Sequence, residues 1–277
     1  MLPSFAAHFQ ISETQVNWLF AATTLALSFS LVPMAVLSES IGRKPVMMFG
    51  LFSIPAISAL MLLGDSFLFL VVCRALIGVA LAAFAAVAVA YMAEELDKYA
   101  FSMAIGTYIA ANSLGGIAGR ISGGLLADNF SIDVAIEVMM LFTLIGVVSV
   151  HYLLPKQKNF TPSSSSLRHH NRAIIGHFKN QRVWFAMLIG GLNFALFVNL
   201  YSVMGFRLVS APHNVPVGLA SLIFVCYLGG TFSSRCAGHW SKRFSPILGM
   251  FLGSIVSMAG MWICLLYTSD AADDETS

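Results

Sequence analysis

A short charged stretch between two long apolar runs carries side chains suited to a switchable ion pair. Residues 35–44 read Ala-Val-Leu-Ser-Glu-Ser-Ile-Gly-Arg-Lys. Glu39 can pair with basic groups or with a helix N-terminus, Arg43 and Lys44 supply cations, and Gly42 permits a sharp turn. Such contacts can hold one conformation and break in another. Alternatively, the two basic residues serve only to orient the chain in a membrane.

A single arginine, Arg74, lies inside another apolar run, four residues before Gly78. A charge in hydrocarbon costs about 3 kcal/mol even on insertion scales, so we expect Arg74 to face the interior of a helix bundle or a water-filled cavity. The alternative is that its guanidinium extends along the helix to the membrane surface.

A glycine pattern occupies the run at residues 101–126. Gly106 precedes Gly115 by nine positions, and Gly116 and Gly119 follow. The spacing of Gly115 and Gly119 is typical of two helices that pack closely.

Asn112 and Arg120 belong to the same run and project to a similar face of a helix, two turns apart. In a cavity this pair would suit an anionic or polyhydroxylated substrate, because both side chains donate hydrogen bonds. The equal alternative is that Arg120 lies where its side chain extends to the outer membrane surface.

The composition assigns these residues to a membrane protein. Of 277 residues, 58% are hydrophobic and 10% charged, and the mean hydropathy is +0.82; a soluble domain carries about 25% charged residues. The net charge of +2 gives no basic excess for nucleic acid. We find no CxxC, HExxH, GxSxG or Walker motif, so we expect no metal, no cofactor and no enzyme.

Eight stretches are long and apolar enough to span a membrane, which predicts an all-α, polytopic helix bundle. A spanning helix needs about 20 apolar residues. The eight lie at roughly residues 15–37, 46–64, 67–92, 101–126, 132–153, 183–206, 216–237 and 246–267.

The distribution of Lys and Arg orients these helices. If residues 38–45 are cytoplasmic, the loops on that side, together with Arg235 at the adjoining end of the span 216–237, hold twelve of the fifteen Lys and Arg residues. The opposite side holds one, and two lie deeper inside spans. This asymmetry follows the positive-inside rule. We therefore predict that the cytoplasmic segments are 38–45, 94–100, 154–182 and 238–245.

The same orientation predicts a missing element. The N-terminus falls on the outer side without a helix to carry it there, so we expect a first helix to precede the sequence. At the other end, residues 267–277 are acidic and fit no membrane helix, and we interpret them as a non-native tail.

An internal repeat indicates a two-part design. A shift of 203 residues aligns the charged stretch with a degenerate copy, Gly238-His-Trp-Ser-Lys-Arg-Phe-Ser245. Parallel repeats of this kind occur in six-plus-six transporters. We predict one half bundle at residues 1–153, a cytoplasmic linker at 154–182 and part of a second half bundle at 183–266.

These motifs resemble those of the major facilitator superfamily, and most of all those of bacterial twelve-helix, drug/proton-antiporter-like inner-membrane exporters. The family's loop between helices two and three reads G-x-L-A-D-R-x-G-R-K. Four positions match it and one is a conservative exchange; they are Leu37, Gly42, Arg43, Lys44 and, for Asp, Glu39. Ala35 and Ser40 depart from the motif.

Two further motifs of the family have counterparts. R-x-x-x-G in the fourth helix corresponds to Arg74 and Gly78, and the resemblance implies that Arg74 helps to couple proton movement to transport. The antiporter signature G-x8-G-P-x-x-G corresponds to Gly106, Gly115 and Gly119, with Gly116 in the place of Pro.

The resemblance implies a twelve-helix fold of which the first and the last three helices are absent here. It also implies a monomer in the lipid bilayer that moves a small molecule by alternating access, with protons driving efflux. In the family, the region of Asn193, Asn199 and Tyr201 lines the cavity, although each could instead make a packing hydrogen bond. The alternatives are an importer of a small anion or sugar, or a fragment that does not transport.

Overall fold

A computed structural model of the chain describes residues 2–64, 66–161, 176, 179–211, 213–231 and 245–274. All regular structure in these residues is helical, which confirms the all-α prediction for the described part of the chain. The first helices are α1 Leu2–Phe9, α2 Glu13–Val16, α3 Trp18–Ile41, α4 Arg43–Met61, α5 Phe67–Glu95, α6 Lys98–Asn129 and α7 Ile132–Leu153. The later ones are α8 Gln181–Val209, α9 Val217–Thr231 and α10 Pro246–Asp274.

Five helical segments are both long and apolar enough to cross a membrane: Thr14–Ile41, Arg43–Met61, Phe67–Glu95, Ile132–Leu153 and Gln181–Val209. They correspond to five of the eight predicted spans.

The other three predicted spans are also helical, but one is less apolar and the apolar segments of the other two are shorter. The helix α6 has 32 residues, but Asn112, Arg120 and its glycines make it less apolar than the other long helices. The described part of α9 is short, as is the apolar part of α10, Ile247–Ile263.

Side-chain caps explain where two of the helices begin. Asp97 caps α6, because its carboxylate accepts hydrogen bonds from the backbone N–H groups of Tyr99 and Ala100, both at 2.9 Å. The hydroxyl of Ser131 accepts from Val134 N at 3.2 Å and caps α7. These caps place the α5–α6 and α6–α7 turns where the sequence predicts loops.

The last helix ends later than we predicted. We expected it to end near residue 266, but α10 continues to Asp274. Residues 267–274 contain no Gly or Pro, so nothing in the backbone chemistry interrupts the helix there. That residues 267–277 are a non-native tail stays a prediction.

Contacts divide the chain into two compact units. The first comprises Met1–Ala173 and Met204–Tyr227, and the second comprises Ile174–Val203 and Leu228–Ser277. The predicted division into half bundles at 1–153 and 183–266 stays a prediction.

The helix α5 lies at the centre of the first unit, where it packs against α3 and α4, and α4 in turn packs against α7. An apolar cluster joins Phe5 of α1, Leu19 of α3, Leu70 and Ile77 of α5, and Phe206 of α8. A second cluster, which includes Val46 and Met47 of α4 and Val87 and Tyr91 of α5, lies next to the α3–α4 turn. These contacts fix the helix ends that carry the charged stretch.

Close approach of α4 and α5 depends on a glycine. A Cβ atom on Gly50 would lie 2.5 Å from the carbonyl oxygen of Ala80 and 2.8 Å from the Cβ of Ala83. Real Cβ atoms do not come so near, so the two helices can pack at this distance only because Gly50 has no side chain.

Candidate functional site: a buried arginine at the α3–α4 turn

The turn between α3 and α4 consists of a single residue, Gly42. Its φ is +114°, a conformation that residues with a Cβ rarely adopt. A Cβ there would also lie 3.3 Å from Cδ of Pro45. The glycine therefore sets the sharp change of direction that the sequence predicts, and it places Arg43 in the first turn of α4.

The side chain of Arg43 turns inward and ties three helices together. Only 9% of Arg43 is exposed. Its Nη2 lies 2.8 Å from Oε1 of Glu94 at the end of α5, and its Nε donates to the same oxygen at 3.1 Å. Its Nη1 donates to the hydroxyl of Ser38 on α3 at 2.7 Å. The carboxylate of Glu94 and the hydroxyl of Ser38 thus compensate for the burial of the charge.

Glu39 contributes less to this cluster than the motif suggests. Its Oε1 lies 3.9 Å from Nη2 of Arg43, compared with 2.8 Å for Glu94. Glu94 is a candidate site residue that the sequence analysis did not single out. The available signal was the acidic pair Glu94-Glu95 at the end of an apolar run, next to a predicted cytoplasmic loop.

The two remaining motif residues have different surroundings. Lys44 donates from Nζ to the backbone carbonyls of Leu154 and Pro155, just beyond α7. The side chain of Leu37 is 41% exposed, and its carbonyl accepts a hydrogen bond from the Ser40 hydroxyl at 3.0 Å. The structure therefore brings Glu39, Arg43 and Lys44 to one end of the first unit.

Arg74 and Gly78 lie together at the contact of α5 with α3. The Nε of Arg74 donates to the carbonyl oxygen of Leu19 at 3.3 Å. One turn further on, a Cβ on Gly78 would overlap the carbonyl oxygen of Thr23 and lie 3.0 Å from the Cβ of Ala26. Arg74 is thus half-buried against α3. That it faces the bundle interior and couples proton movement to transport stays a prediction.

The glycine pattern of α6 does not form a close contact in the described part of the chain. A Cβ on Gly106, Gly115 or Gly119 would meet nothing within 4 Å. A Cβ on Gly116 would meet Nη1 of Arg120 at 3.0 Å. Gly124 of the same helix does pack closely, since a Cβ there would lie 2.6 Å from the Cβ of Ser221 on α9.

Arg120 lies beside two aromatic rings of α9. Its Nη1 donates to the carbonyl oxygen of Gly116 at 3.0 Å. Its guanidinium carbon lies 5.2 Å from the ring centroid of Phe224 and 5.4 Å from that of Tyr227, within the range of cation–π attraction. Asn112 lies two turns earlier on α6 with an exposed side chain.

The three predicted cavity residues of α8 make local contacts in the second unit. Asn193 donates from Nδ2 to the carbonyl oxygen of Ile189 at 2.9 Å and to the hydroxyl of Ser254 at 3.2 Å. Asn199 donates to the carbonyl oxygen of Ala195 at 2.9 Å. The ring of Tyr201 packs edge-on against Phe197, with centroids 5.0 Å apart.

Two predicted segments fall largely or wholly outside the described residues. The degenerate copy of the charged motif at 238–245 is described only at its last residue, and most of the linker after residue 161 is also outside.

Comparison with known proteins identifies the family. A family model described as "Major Facilitator Superfamily" matches residues 1–272. The chain belongs to the major facilitator superfamily. Several curated proteins resemble it. An uncharacterized transporter of Buchnera aphidicola subsp. Baizongia pistaciae is 32% identical, over 94% of this chain and 64% of the relative. The uncharacterized MFS-type transporter YybF of Bacillus subtilis is 28% identical over the same shares.

A third relative, the inner membrane transport protein YnfM of Escherichia coli, is 29% identical over 88% of this chain and 58% of its own length. The chain thus spans about three fifths of the length of these relatives. The family, the bacterial relatives and the spanning helices together make this a multi-pass protein of the bacterial inner membrane.

Proposed function

We propose that the protein transports a small molecule across the bacterial inner membrane by alternating access, and that it performs no chemical conversion. The observation that carries this proposal is the partly buried Arg43–Glu94 ion pair, with its 2.8 Å contact, at the end of a bundle of membrane-length helices. We attribute to an ion pair in this position the role of holding helices together while the bundle moves, since the family's members move substrates between two access states.

The location of the pair indicates its mechanical role. Arg43, Glu94 and Ser38 all belong to α3–α5, within one predicted half of the transporter. If two halves rock against each other, contacts inside one half remain intact. In place of the switching role predicted from the motif, we therefore propose that the cluster stiffens its half, so that the half moves as one body, and that the cluster stays formed during each cycle.

We propose that the direction of transport is efflux and that protons drive it. The motifs of α5 and α6 resemble those of proton antiporters, and Arg74 is held against α3 by its bond to Leu19. A more distant relative, the multidrug resistance protein MdtG of Salmonella typhi, is 25% identical over 55% of this chain, and its name agrees with export. We further propose that the transporter acts as a monomer in the bilayer.

One observation favours a second candidate, an importer of a small organic anion. Arg120 presents a cation flanked by the rings of Phe224 and Tyr227. A guanidinium binds carboxylates and phosphates well, and the adjacent rings would contact an apolar substituent.

A transport assay separates the candidates. Cells that produce the protein are loaded with a panel of fluorescent drugs of either charge, with and without an uncoupler, and the purified protein is tested in proteoliposomes with an imposed pH gradient. Efflux predicts lower accumulation of at least one probe, and the uncoupler should abolish the difference. Accumulation of an organic anion against its gradient would instead establish import. Absence of flux in proteoliposomes would contradict transport by this chain.

A further inference from the structure

The N-terminus of α4 receives a hydrogen-bond acceptor from a distant part of the chain. A helix leaves its first four backbone N–H groups without partners inside the helix. Here Gly42 N donates to the carbonyl oxygen of Ser38 at 3.1 Å, and Pro45 has no N–H. Arg43 and Lys44 remain, and the Oε1 atom of Gln157 accepts from both, at 3.1 and 3.2 Å.

No residue of the turn itself could supply this acceptor. Gly42 occupies the capping position and has no side chain. Gln157 lies 114 positions further along the chain than Arg43, beyond the end of α7. Its oxygen lies so near the turn that it would be 3.5 Å from a Cβ on Gly42, an ordinary van der Waals distance.

Residues 154–159, which we call the strap, are fastened to the same helix ends by further bonds. The hydroxyl of Tyr91 on α5 donates to the carbonyl oxygen of Pro155 at 2.9 Å. The carboxylate of Glu95 accepts from the backbone N–H groups of Lys158 and Asn159, at 2.8 and 2.9 Å. The side-chain amide of Asn159 donates to the carbonyl oxygen of Glu94 at 3.1 Å.

The strap therefore contacts both members of the ion pair. It binds the backbone of Arg43 through Gln157 and the backbone of Glu94 through Asn159. The Nε2 atom of Gln157 is buried without a hydrogen-bond partner among the described residues. The hydrogen bonds that this side chain makes to described residues are therefore those that its Oε1 atom accepts from Arg43 and Lys44.

We propose that Gln157 is a positioning residue for the Arg43–Glu94 pair: it caps α4 from outside the helix and thereby holds the Arg43 guanidinium on Glu94. The strap is then a part of the site. The consequence for transport rests on the proposed function, but the capping itself does not.

Amide hydrogen exchange of the whole chain in lipid nanodiscs tests the capping. Gln157→Leu keeps most of the side-chain volume and removes the acceptor, so exchange of the Arg43 and Lys44 amides should accelerate about fivefold or more, the usual effect of losing a cap. Gln157→Glu keeps an acceptor oxygen, and its charge is favourable at a helix N-terminus, so exchange should stay at the wild-type rate or slow down.

Lys158→Ala is the matched control. Lys158 belongs to the strap but binds Glu95 through its backbone N–H, so this substitution should leave exchange at Arg43 and Lys44 unchanged. If Gln157→Leu does not fold, Gln157→Asn, whose shorter side chain withdraws the oxygen, should give the same acceleration. Unchanged exchange in these variants, or equal acceleration in Gln157→Glu, would overturn the proposal.

Transport by the same variants separates this proposal from the proposed function. We expect Gln157→Leu to lower the maximal rate of flux and Gln157→Glu to restore it, with an unchanged half-saturating substrate concentration. If the wild-type chain shows no flux, the proposed function fails for this chain, while the exchange result still decides whether Gln157 caps α4.

Discussion

Gly78 on α5 and Gly119 on α6 both belong to patterns that resemble transporter motifs, but their surroundings differ. A Cβ on Gly78 would overlap the backbone of α3, whereas a Cβ on Gly119 would meet no described atom within 4 Å. The helix α5 is packed between α3 and α4, whereas much of the α6 surface is exposed. The difference teaches that a helix position needs glycine where the backbone of another helix comes close. Whether it does so depends on the neighbouring helix and not on the glycine pattern itself.

The largest expected effect is that of filling the α3–α5 contact. Gly78→Ala forces a methyl group against the Thr23 carbonyl, and overpacking of this kind costs about 3 kcal/mol. Gly119→Ala should be neutral, or stabilising by up to about 1 kcal/mol, because Ala favours the helix. Thermal unfolding of both variants in the same detergent measures the difference. Equal losses of stability would show that the two glycines do not differ as the structure indicates.

A smaller effect is expected on α6 at Arg120, which contacts two aromatic rings of α9. A double-mutant cycle of Arg120→Gln with Phe224→Leu should give a coupling of about 0.5–1 kcal/mol, the range for exposed cation–π contacts. Phe142→Leu is the matched control, because this exposed ring belongs to α7 and should not couple to Arg120. A coupling below about 0.2 kcal/mol, measured by thermal unfolding, would show that the contact of Arg120 with the Phe224 ring does not stabilise the protein.

Features that depend on local sequence were predictable. The apolar runs predicted helices at all eight positions, because the length and composition of a spanning segment are properties of one continuous stretch. The sharp turn at Gly42 was likewise predictable, since only glycine readily adopts the φ of +114° found there.

Features that depend on distant residues were not predictable from one sequence. The motif suggested Glu39 as the partner of Arg43, but Glu94, 51 positions away, lies closer. Gln157 carries no motif at all, and its capping role depends on where the chain goes after α7. Similarly, Gly124 packs against α9, whereas the recognisable pattern ended at Gly119.

The central claim is that Arg43 pairs with Glu94 and not chiefly with Glu39, and two double-mutant cycles test it directly. Arg43→Gln is combined with Glu94→Gln in one cycle and with Glu39→Gln in the other, and stability is measured by thermal unfolding. The side chains of Arg43 and Glu94 are 11% and 30% exposed, so their coupling should exceed that of a surface pair, at about 1–2 kcal/mol. The coupling of Arg43 with Glu39, at 3.9 Å, should stay below about 0.5 kcal/mol. A larger coupling with Glu39 than with Glu94 would contradict the account.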